Sequence, residues 1–388
     1  MQTRPAQTVL LIRNAAKQDF GGAETYQISL AKVLRQNGIN PIVVTRSAKL
    51  TAHAHTHGVQ TIRGWWWSKQ SWNGRNIIIF PLYVTWQLLL TLWYITLILR
   101  TRPAALHIQS KDDFIAATIA GRLTGKPAIW TDHMDLRYIF KNIARPFRNP
   151  LGKFVFWAAK RASHIIIISD NERRLVTSEL ANPHGLDRQI VIVKNGVLDE
   201  TGNLKARPSS PDAFTFCLAS RMTVGKGVGE AIRAFIQLTE DPAYQKHARL
   251  AIYGDGPDIA TFKDLAKGYE HITFYGHQQN SIQKISEADV FMLPSYQEGF
   301  SITLLEATML GKAIIASNVD SNPEIVRNKQ TGLLVPVRDV DALAGAMRLL
   351  ISDTKLKKSL EAEARKNFED NFNLETIVRE KVIPLYRS

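Results

Sequence analysis

Short apolar runs and longer amphipathic stretches alternate along the chain. The apolar runs have the length of strands, and the stretches between them have the length of helices. This alternation predicts βαβ units with parallel sheets, because parallel strands need a crossover connection that is usually helical. The predicted strands lie near residues 8–12, 41–45, 105–108, 128–131 and 164–168 in the first half, and near residues 214–219, 250–253, 272–275, 290–293 and 313–316 in the second.

A polar segment separates the two sets of strands. Residues 198–213 include Pro208 and Pro211 and few apolar side chains, which is typical of a linker between domains. With 388 residues, the chain is also long enough for two domains. The predicted fold is therefore α/β, with two doubly wound, Rossmann-like domains, residues 1–200 and 201–372, that face each other across a cleft. In such sheets ligands bind outside the carboxyl ends of the strands.

The composition is that of a globular protein, with 45% apolar and 22% charged residues. The single cysteine, Cys217, lies in an apolar run, so neither a disulfide framework nor a cysteine zinc site is expected. The first apolar run, residues 9–12, is too short for a signal peptide. These features predict a cytoplasmic protein.

Positive charge is concentrated in the first half of the chain. Residues 1–200 contain 26 Lys and Arg against 12 Asp and Glu, whereas residues 201–388 contain 23 of each. Residues 136–169 contain seven basic side chains and no acidic one. This asymmetry predicts an anionic partner, which would be nucleic acid, a membrane surface or a phosphorylated acceptor, unless the run is only a solvated basic face.

The segment 294–307, PSYQEGFSITLLEA, places two glutamates around a predicted strand-to-helix turn. Glu298 precedes the turn, and Glu306 lies about one helical turn beyond it, so both carboxylates are expected to reach the same ligand. Carboxylates accept hydrogen bonds from hydroxyl groups, which sugars and riboses offer. Two unrelated surface charges would be the alternative, but the joint spacing argues against it.

Groups that bind phosphate are predicted around these glutamates. The backbone N–H groups of Gly299, Phe300 and Ser301 lie at the start of the predicted helix, where an anion is favoured. Arg221 and Lys226 follow the first strand of the same domain and would supply the balancing cations.

Glycine follows other predicted strands as well. Gly21 and Gly22 come after the first strand, and Gly254 comes after the strand at 250–253. Glycine there permits close approach of a ligand to the backbone, although many such turns use glycine for geometry alone. Neither a GxxxxGK[ST] loop nor a GxGxxG fingerprint occurs, which argues against a nucleoside triphosphatase and a dinucleotide oxidoreductase.

These motifs together resemble the signature series of the family 4 glycosyltransferases, which have the GT-B fold. The resemblance runs over nearly the whole chain and is specific in the second half. It is loose in the first half, where Gly21-Gly22, His133 and Asn195-Gly196 are the main landmarks. The matching segments are GGAE at 21–24, Arg221 to Gly227, YGDGP at 253–257, PS at 294–295, EGF at 298–300 with EA at 306–307, and TGLLV at 331–335.

The resemblance implies roles for individual residues. Glu298 would contact hydroxyl groups of the donor sugar, and Glu306 would contact the ribose of its nucleotide. Arg221 and Lys226 would bind the donor diphosphate and stabilise charge on the leaving group. His133 matches a histidine near the reacting sugar, although a histidine at a strand end is often only a satisfied polar residue.

The resemblance also implies features of the chain as a whole. Gly21 and Gly22 would border the cleft from the first domain, and Gly254, Gly299, Phe300 and Ser301 would help to hold the nucleotide. The sugar would be transferred with retention of configuration, without a metal ion or other cofactor. Residues 373–388 would form a C-terminal helix that crosses back to the first domain.

Two patterns in the sequence resemble metal-binding spacings. His53, His55 and His57 alternate and would share one side of a strand, but without a nearby carboxylate or cysteine a loop is favoured. Asp339 and Asp341 form the only Asp-x-Asp, and they are interpreted as a helix N-cap with a first-turn acid. No metal site is predicted.

A long apolar segment marks the first domain. Residues 77–99 contain no charge, and three tryptophans occur nearby at 65–67. The length suits a membrane span, but Pro81, Gln87 and three threonines interrupt the run. A buried core helix and a helix lying in the membrane interface are the alternatives, and the tryptophans and basic stretch favour the interface.

The predicted function is transfer of a hexose-type sugar, from a UDP-sugar in preference to a GDP-sugar, to a lipid-linked or cell-surface glycan. The protein would attach peripherally to the inner face of the plasma membrane and would bind no nucleic acid, because no recognised binding module accompanies the charge. A nucleotide-sugar epimerase of the same architecture and a non-catalytic scaffold are the alternatives. The intact cationic loop and glutamates argue against a scaffold.

Overall fold

A computed structural model describes residues 7–14, 21–65, 80–131, 150–176, 185–186, 188–205, 213–278 and 280–387. The chain forms two compact units. The first unit comprises residues 1–195 and 374–388, and the second comprises residues 196–373. Each unit is built on its own parallel sheet.

The first unit contains a seven-stranded sheet. Its strands are β1 (Gln7–Ile12), β2 (Ile39–Thr45), β3 (Gln60–Arg63), β4 (Ala105–Ile108), β5 (Ala128–Thr131), β6 (His164–Ile167) and β7 (Ile190–Ile192). Its helices are α1 (Gly22–Gln36), α2 (Ala48–Thr56), α3 (Phe80–Thr101), α4 (Phe114–Thr124), α5 (Pro150–Ala159) and α6 (Asp170–Val176). The order is β3-β2-β1-β4-β5-β6-β7, so the topological switch point lies between β1 and β4.

The second unit contains a six-stranded sheet. Its strands are β8 (Phe214–Ala219), β9 (Ala248–Tyr253), β10 (Ile272–Gly276), β11 (Val290–Leu293), β12 (Ala313–Ser317) and β13 (Leu333–Val335). Its helices are α7 (Val228–Thr239), α8 (Pro242–Gln245), α9 (Ile259–Leu265), α10 (Ser281–Ser286), α11 (Ile302–Met309), α12 (Asn322–Ile325), α13 (Val340–Ser352) and α14 (Thr354–Asn371). The order is β10-β9-β8-β11-β12-β13, with the switch point between β8 and β11.

All ten predicted strands are confirmed. Nine of them are apolar runs whose residues are largely buried, whereas in β10 only Ile272 is buried. Three further strands were missed. β3, β7 and β13 are only three or four residues long and lie at the edges of the sheets. An edge strand is covered less than a central one, so its sequence carries a weaker apolar signal.

The end of the chain returns to the first unit, as predicted. Helix α15 (Leu374–Ile377) continues through a π-helical turn at Val378–Val382 and a 3₁₀ turn at Ile383–Tyr386. The hydroxyl of Tyr386 lies 2.7 Å from Nδ1 of His107 in β4, and Nε2 of His107 lies 2.7 Å from Oγ1 of Thr131 in β5. Burial lowers the pKa of His107 to about 3, so this link is neutral at physiological pH.

Helix α3 contains most of the predicted apolar segment. One side packs into the core of the first unit through Leu90, Tyr94, Leu97 and Ile98. Residues Pro81–Thr101 are long and apolar enough to cross a membrane by length and composition, but one third of the most apolar window is buried within the protein. A core helix of a soluble protein passes the same test, so this finding alone is weak evidence for a span.

Candidate active site

The switch point of the second unit brings two exit loops together. The loop after β8 carries Arg221 and Lys226, and the loop after β11 carries Glu298. A hydrogen bond of 2.9 Å from the N–H of Tyr296 to the carbonyl of Gly225 joins the two loops. The elements thus place cationic and anionic side chains at the carboxyl ends of adjacent strands.

Glycine permits the close packing of these loops. Gly227 has φ +67°, and a Cβ there would lie 1.9 Å from the carbonyl oxygen of Pro294. Gly254 has φ +129°, and a Cβ there would lie 1.9 Å from the carbonyl oxygen of Ser220. A side chain at either position would collide with a backbone carbonyl, so both positions require glycine even when no ligand is bound. A ligand contact of Gly254 stays a prediction.

Lys226 and Glu298 form an ion pair. Nζ of Lys226 lies 2.7 Å from Oε1 of Glu298, and the hydroxyl of Ser295 donates to the same oxygen at 2.7 Å. The backbone N–H of Glu298 donates to Oδ2 of Asp320 at 2.9 Å. The Glu298 side chain is only 8% exposed. Lys226 and Ser295 orient its carboxylate, and Asp320 holds its backbone N–H.

Glu306 is a buried carboxyl group with unused hydrogen-bonding capacity. It lies in α11 and is 7% exposed. Burial, with a smaller contribution from the charge of Glu200, raises its pKa to about 8, against a lowering effect of the Ser281 hydroxyl. Its Oε2 has no hydrogen-bond partner. A ligand hydroxyl would satisfy that oxygen and favour the ionised form.

The segment that leads into α11 carries the N–H groups that the sequence analysis assigns to phosphate binding, and that role stays a prediction. Ser301 is the N-cap, and its hydroxyl accepts from the N–H of Leu304 at 3.4 Å. Within the described residues, nothing accepts from the N–H groups of Gly299, Phe300 or Ser301. The centroid of the Phe300 ring lies 6.0 Å from that of Phe372, so the side chain packs inside the second unit. Only the backbone N–H of Phe300 is a candidate for binding a ligand.

Arg221 remains exposed at the edge of this cluster. Its guanidinium has no hydrogen bond to any residue that the structure describes, while its carbonyl accepts from the N–H of Thr223 at 2.9 Å. The side chain is therefore available to an anion. Its role in diphosphate binding stays a prediction.

The first unit has its own polar network at the β1–β4 switch point. Gly21 caps α1, and its N–H donates to Oε2 of Glu24 at 3.0 Å. Oε1 of Glu24 accepts from Arg13 at 2.7 Å, and Arg13 also donates to the carbonyl of Gln109 at 2.9 Å. Gly22 follows as the first residue of α1. The two glycines thus lie beside residues that join the exits of β1 and β4.

A second part of this network was missed by sequence reasoning. Asp113 is buried and accepts hydrogen bonds from Tyr94, at 2.7 Å, and from the hydroxyl of Ser110. Burial raises its pKa to about 6. The Ser110 hydroxyl also accepts from the N–H of Asn14 at 3.2 Å. The spacing of Ser110 and Asp113 at a strand exit was the only available signal.

The remaining candidate residues divide into three outcomes. His133 lies outside the described residues. Asp339 is the N-cap of α13 and accepts from the N–H of Ala342 at 2.8 Å, which agrees with its interpretation as a helix N-cap.

The prediction of a strand or a loop for the three histidines is wrong. His53 and His55 lie in α2, and His57 is its C-cap. A nine-residue stretch with an N-cap serine forms a helix there because local hydrogen bonds stabilise it. Among the described residues, no three His, Cys, Asp or Glu side chains group as metal ligands.

Comparison with known families decides the identity of the chain. The family described as Glycosyltransferase Family 4 matches residues 20–200, and the family described as Glycosyl transferases group 1 matches residues 200–367. The chain belongs to the family 4 glycosyltransferases. The resemblance drawn from its motifs is thereby confirmed.

Individual relatives agree with this assignment. An uncharacterised glycosyltransferase of Methanocaldococcus jannaschii is 25% identical over 70% of this chain and 73% of its own. The UDP-Gal:α-D-GlcNAc-diphosphoundecaprenol α-1,3-galactosyltransferase of Escherichia coli is 25% identical over 72% of this chain and 74% of its own. Anabaena HepE in complex with UDP superimposes with a TM-score of 0.76 at 18% identity, covering 98% of this chain and 99% of that one. This likeness confirms the GT-B fold.

Proposed function

We propose that this glycosyltransferase moves a hexose-type sugar from a UDP-sugar to a lipid-linked glycan, with retention of configuration and without a metal ion. It would act in the biosynthesis of a polysaccharide, lipopolysaccharide or glycolipid. The observation that carries the proposal is the pairing of Lys226 with Glu298 beside open N–H groups and the unsatisfied oxygen of Glu306. This set matches the parts of a nucleotide sugar: phosphates, sugar hydroxyls and ribose.

The cationic loop would replace a metal ion. On donor binding, the ammonium group of Lys226 would turn from the carboxylate of Glu298 to a donor phosphate. The guanidinium of Arg221 would approach the same diphosphate. The N–H groups at the start of α11 add partial positive charge. Cations and dipoles fixed around the leaving group stabilise the charge that develops on it.

The carboxylates would orient the donor. Glu298 would accept a hydrogen bond from a sugar hydroxyl, held in place by Ser295 and Asp320. Glu306 would accept from ribose hydroxyls through Oε2.

The reaction exchanges one bond at the anomeric carbon. The bond from C1 to the β-phosphate oxygen breaks, and its electron pair leaves with UDP. The acceptor hydroxyl oxygen bonds to C1 on the same face, and its proton passes to the departing UDP oxygen. This sequence balances without an oxidant, a reductant or an enzyme-bound intermediate.

Two comparisons support the choice of substrates. HepE binds UDP in a fold that matches nearly the whole chain, which supports uridine over guanosine. The Escherichia coli relative acts on a sugar linked to diphosphoundecaprenol, which supports an acceptor held in a membrane. The basic first half of the chain suits attachment to the inner face of that membrane.

A turnover assay tests the proposal. The purified protein is incubated with UDP- and GDP-sugars, with and without EDTA and a membrane lipid extract, and free nucleoside diphosphate and glycosylated lipid are measured. We expect lipid-dependent release of UDP that survives EDTA and disappears in Glu298→Ala. A changed sugar without UDP release would instead indicate an epimerase, and loss of activity in EDTA that added metal restores would contradict metal independence.

A further inference from the structure

Helix α3 carries leucines on the side that faces away from the core. Its exposed positions recur every three or four residues, as expected for one side of a helix. Five leucines on this side are between 45% and 72% exposed, and they form the leucine face: Leu82, Leu88, Leu89, Leu92 and Leu99. The face extends about 26 Å along the helix axis. An apolar strip of this size indicates that something other than water covers it.

The helices beside the leucine face contain no acidic residue. Helix α3 packs on α4, and α4 packs on α5. None of the three contains Asp or Glu between its first and last residues, although Asp112 and Asp113 directly precede α4, with Asp113 as its N-cap. Helix-dipole effects explain cations at the ends of helices and acids at their starts, but they do not explain the lack of acids along all three helices.

Basic residues follow the ends of these three helices. Each helix leads back to the start of the next parallel strand, so the three helix ends lie on the side of the sheet where its strands begin. The basic rim consists of Arg100, Arg102, Arg122, Lys126, Lys160 and Arg161, all exposed or half-buried. Charge of one sign thus lies next to an apolar strip.

Aromatic side chains mark the other end of α3. Trp65 follows β3 and is 39% exposed, and its ring stacks on that of Trp86 at 6.0 Å. At the end with the basic rim, Arg161 lies two residues beyond α5, and its Cζ is 3.9 Å from the ring centroid of the exposed Trp157. Tryptophan and arginine of this kind are favoured at lipid headgroups, where one part of the side chain is apolar and the other polar.

Two other occupants of the leucine face fit poorly. A membrane span would require α3 to leave the core, where Tyr94 packs and donates to Asp113. A second copy of the chain packed symmetrically through this face would bring two basic rims together, and like charges at an interface are repelled. An anionic surface fits both the charge and the apolar strip.

We propose that the leucine face inserts into the outer part of an anionic lipid bilayer, with α3 parallel to the membrane plane and the basic rim against lipid phosphates. The inference deepens the proposed function, on which it rests for the presence of a membrane acceptor. It replaces a purely electrostatic attachment by insertion of defined side chains.

Docking in this orientation would place the first switch point beside the lipid headgroups. Trp65 follows β3, and its carbonyl accepts a hydrogen bond from Nδ2 of Asn14, which follows β1, at 3.5 Å. The strand exits of the first unit would therefore lie close to the level at which a lipid-linked acceptor carries its sugar.

Fluorescent labels at three positions test the depth of α3. The only native cysteine, Cys217, is buried, so Leu82→Cys, Leu92→Cys and Leu99→Cys can each be labelled selectively. Labelled proteins are mixed with vesicles of phosphatidylcholine and phosphatidylglycerol that contain quenchers at known depths. We expect a blue shift and the same shallow depth at all three positions, whereas a span would place Leu92 deepest and would overturn the proposal.

A partition assay supplies the second test. We expect Leu88→Gln with Leu92→Gln to weaken binding to these vesicles by about tenfold or more, because two inserted apolar side chains are lost. The matched control is Leu349→Gln, an exposed leucine of the second unit, which should bind as the wild type does. Vesicle binding of the double variant equal to that of the wild type would contradict the proposal. A blue shift of the labelled proteins that requires high protein concentration and no lipid would also contradict it, because it would indicate self-association.

The assay separates this inference from the proposed function. Vesicle binding is measured without donor or acceptor, and UDP binding is measured without vesicles. The leucine variant should keep wild-type affinity for UDP, which also shows that it is folded. A protein that binds vesicles but transfers no sugar would contradict the proposed function and leave the docking surface intact.

Discussion

Two buried carboxyl groups, one in each unit, show how similar environments can serve different purposes. Asp113 follows β4 and Glu306 follows β11, and burial raises the pKa of the first to about 6 and of the second to about 8. Asp113 accepts hydrogen bonds from Tyr94 and Ser110. Glu306 keeps one oxygen without a partner. The hydrogen-bond inventory, more than burial, therefore distinguishes a structural carboxyl from a candidate ligand contact.

The ion pair of Lys226 and Glu298 should give the largest effect. We expect Lys226→Ala and Glu298→Ala to lower kcat/KM for a UDP-sugar by about 100-fold or more, because preorganised charge around the leaving group and the sugar is lost. Because Glu298→Ala also leaves the buried hydroxyl of Ser295 without its acceptor, both variants are assayed at a temperature where circular dichroism shows them folded. The control is Lys284→Ala, which breaks a surface pair of 2.8 Å with Glu287 and should leave kcat/KM unchanged.

Removal of the structural carboxyl should affect stability instead. Asp113→Ala leaves the hydroxyls of Tyr94 and Ser110 buried without their acceptor, which should cost about 2–3 kcal/mol of unfolding free energy. Chemical denaturation measures this loss. Affinity for UDP should stay at the wild-type value, and a loss of UDP affinity in Asp113→Ala would contradict the distinction drawn between the two carboxyl groups.

Glu306 should make stability depend on pH. Its pKa is about 8 in the folded protein against an ordinary value of 4.5, so the unfolded chain binds fewer protons between these values. The free energy of unfolding should therefore fall as pH rises from about 4.5 to 8. Glu306→Gln should remove part of this slope and be more stable than the wild type above pH 8, by up to about 2 kcal/mol. Parallel melting curves across that range would contradict the assignment.

The smallest effect is expected within the satisfied network. Tyr94→Phe removes one of the two hydroxyls that donate to Asp113 but keeps the ring in the core, so about 1 kcal/mol of stability should be lost. The double variant with Asp113→Ala should lose less than the sum of the single losses. Additive losses would mean that the two groups do not interact.

The sequence predicted the strands because buried parallel strands are nearly continuous apolar runs. It predicted Glu298, Glu306 and the cationic loop because motif spacing places them after strands of one sheet. It did not reveal the contact of Lys226 with Glu298, because side chains 72 positions apart are joined only by the fold.

Other features left only a weak or misleading local signal. The Asp113 network joins a serine, a tyrosine and an aspartate that are each ordinary in their own segment. The histidines at 53–57 alternate as in a strand, yet they lie in and just after a helix with an N-cap at Ser47. Edge strands β3 and β7 are too short and too exposed to show a clear pattern.

Proton release on UDP binding tests the central claim most directly. Calorimetric titration with UDP near pH 7.5, in buffers with different ionisation enthalpies, counts the protons released on binding. The count is made for the wild type and for Glu306→Gln, in which only UDP and the other groups of the protein can release protons. We predict that the wild type releases additional protons, because ribose hydroxyls favour the ionised form of Glu306. The same proton count in both proteins would contradict a nucleotide site built around this carboxyl group.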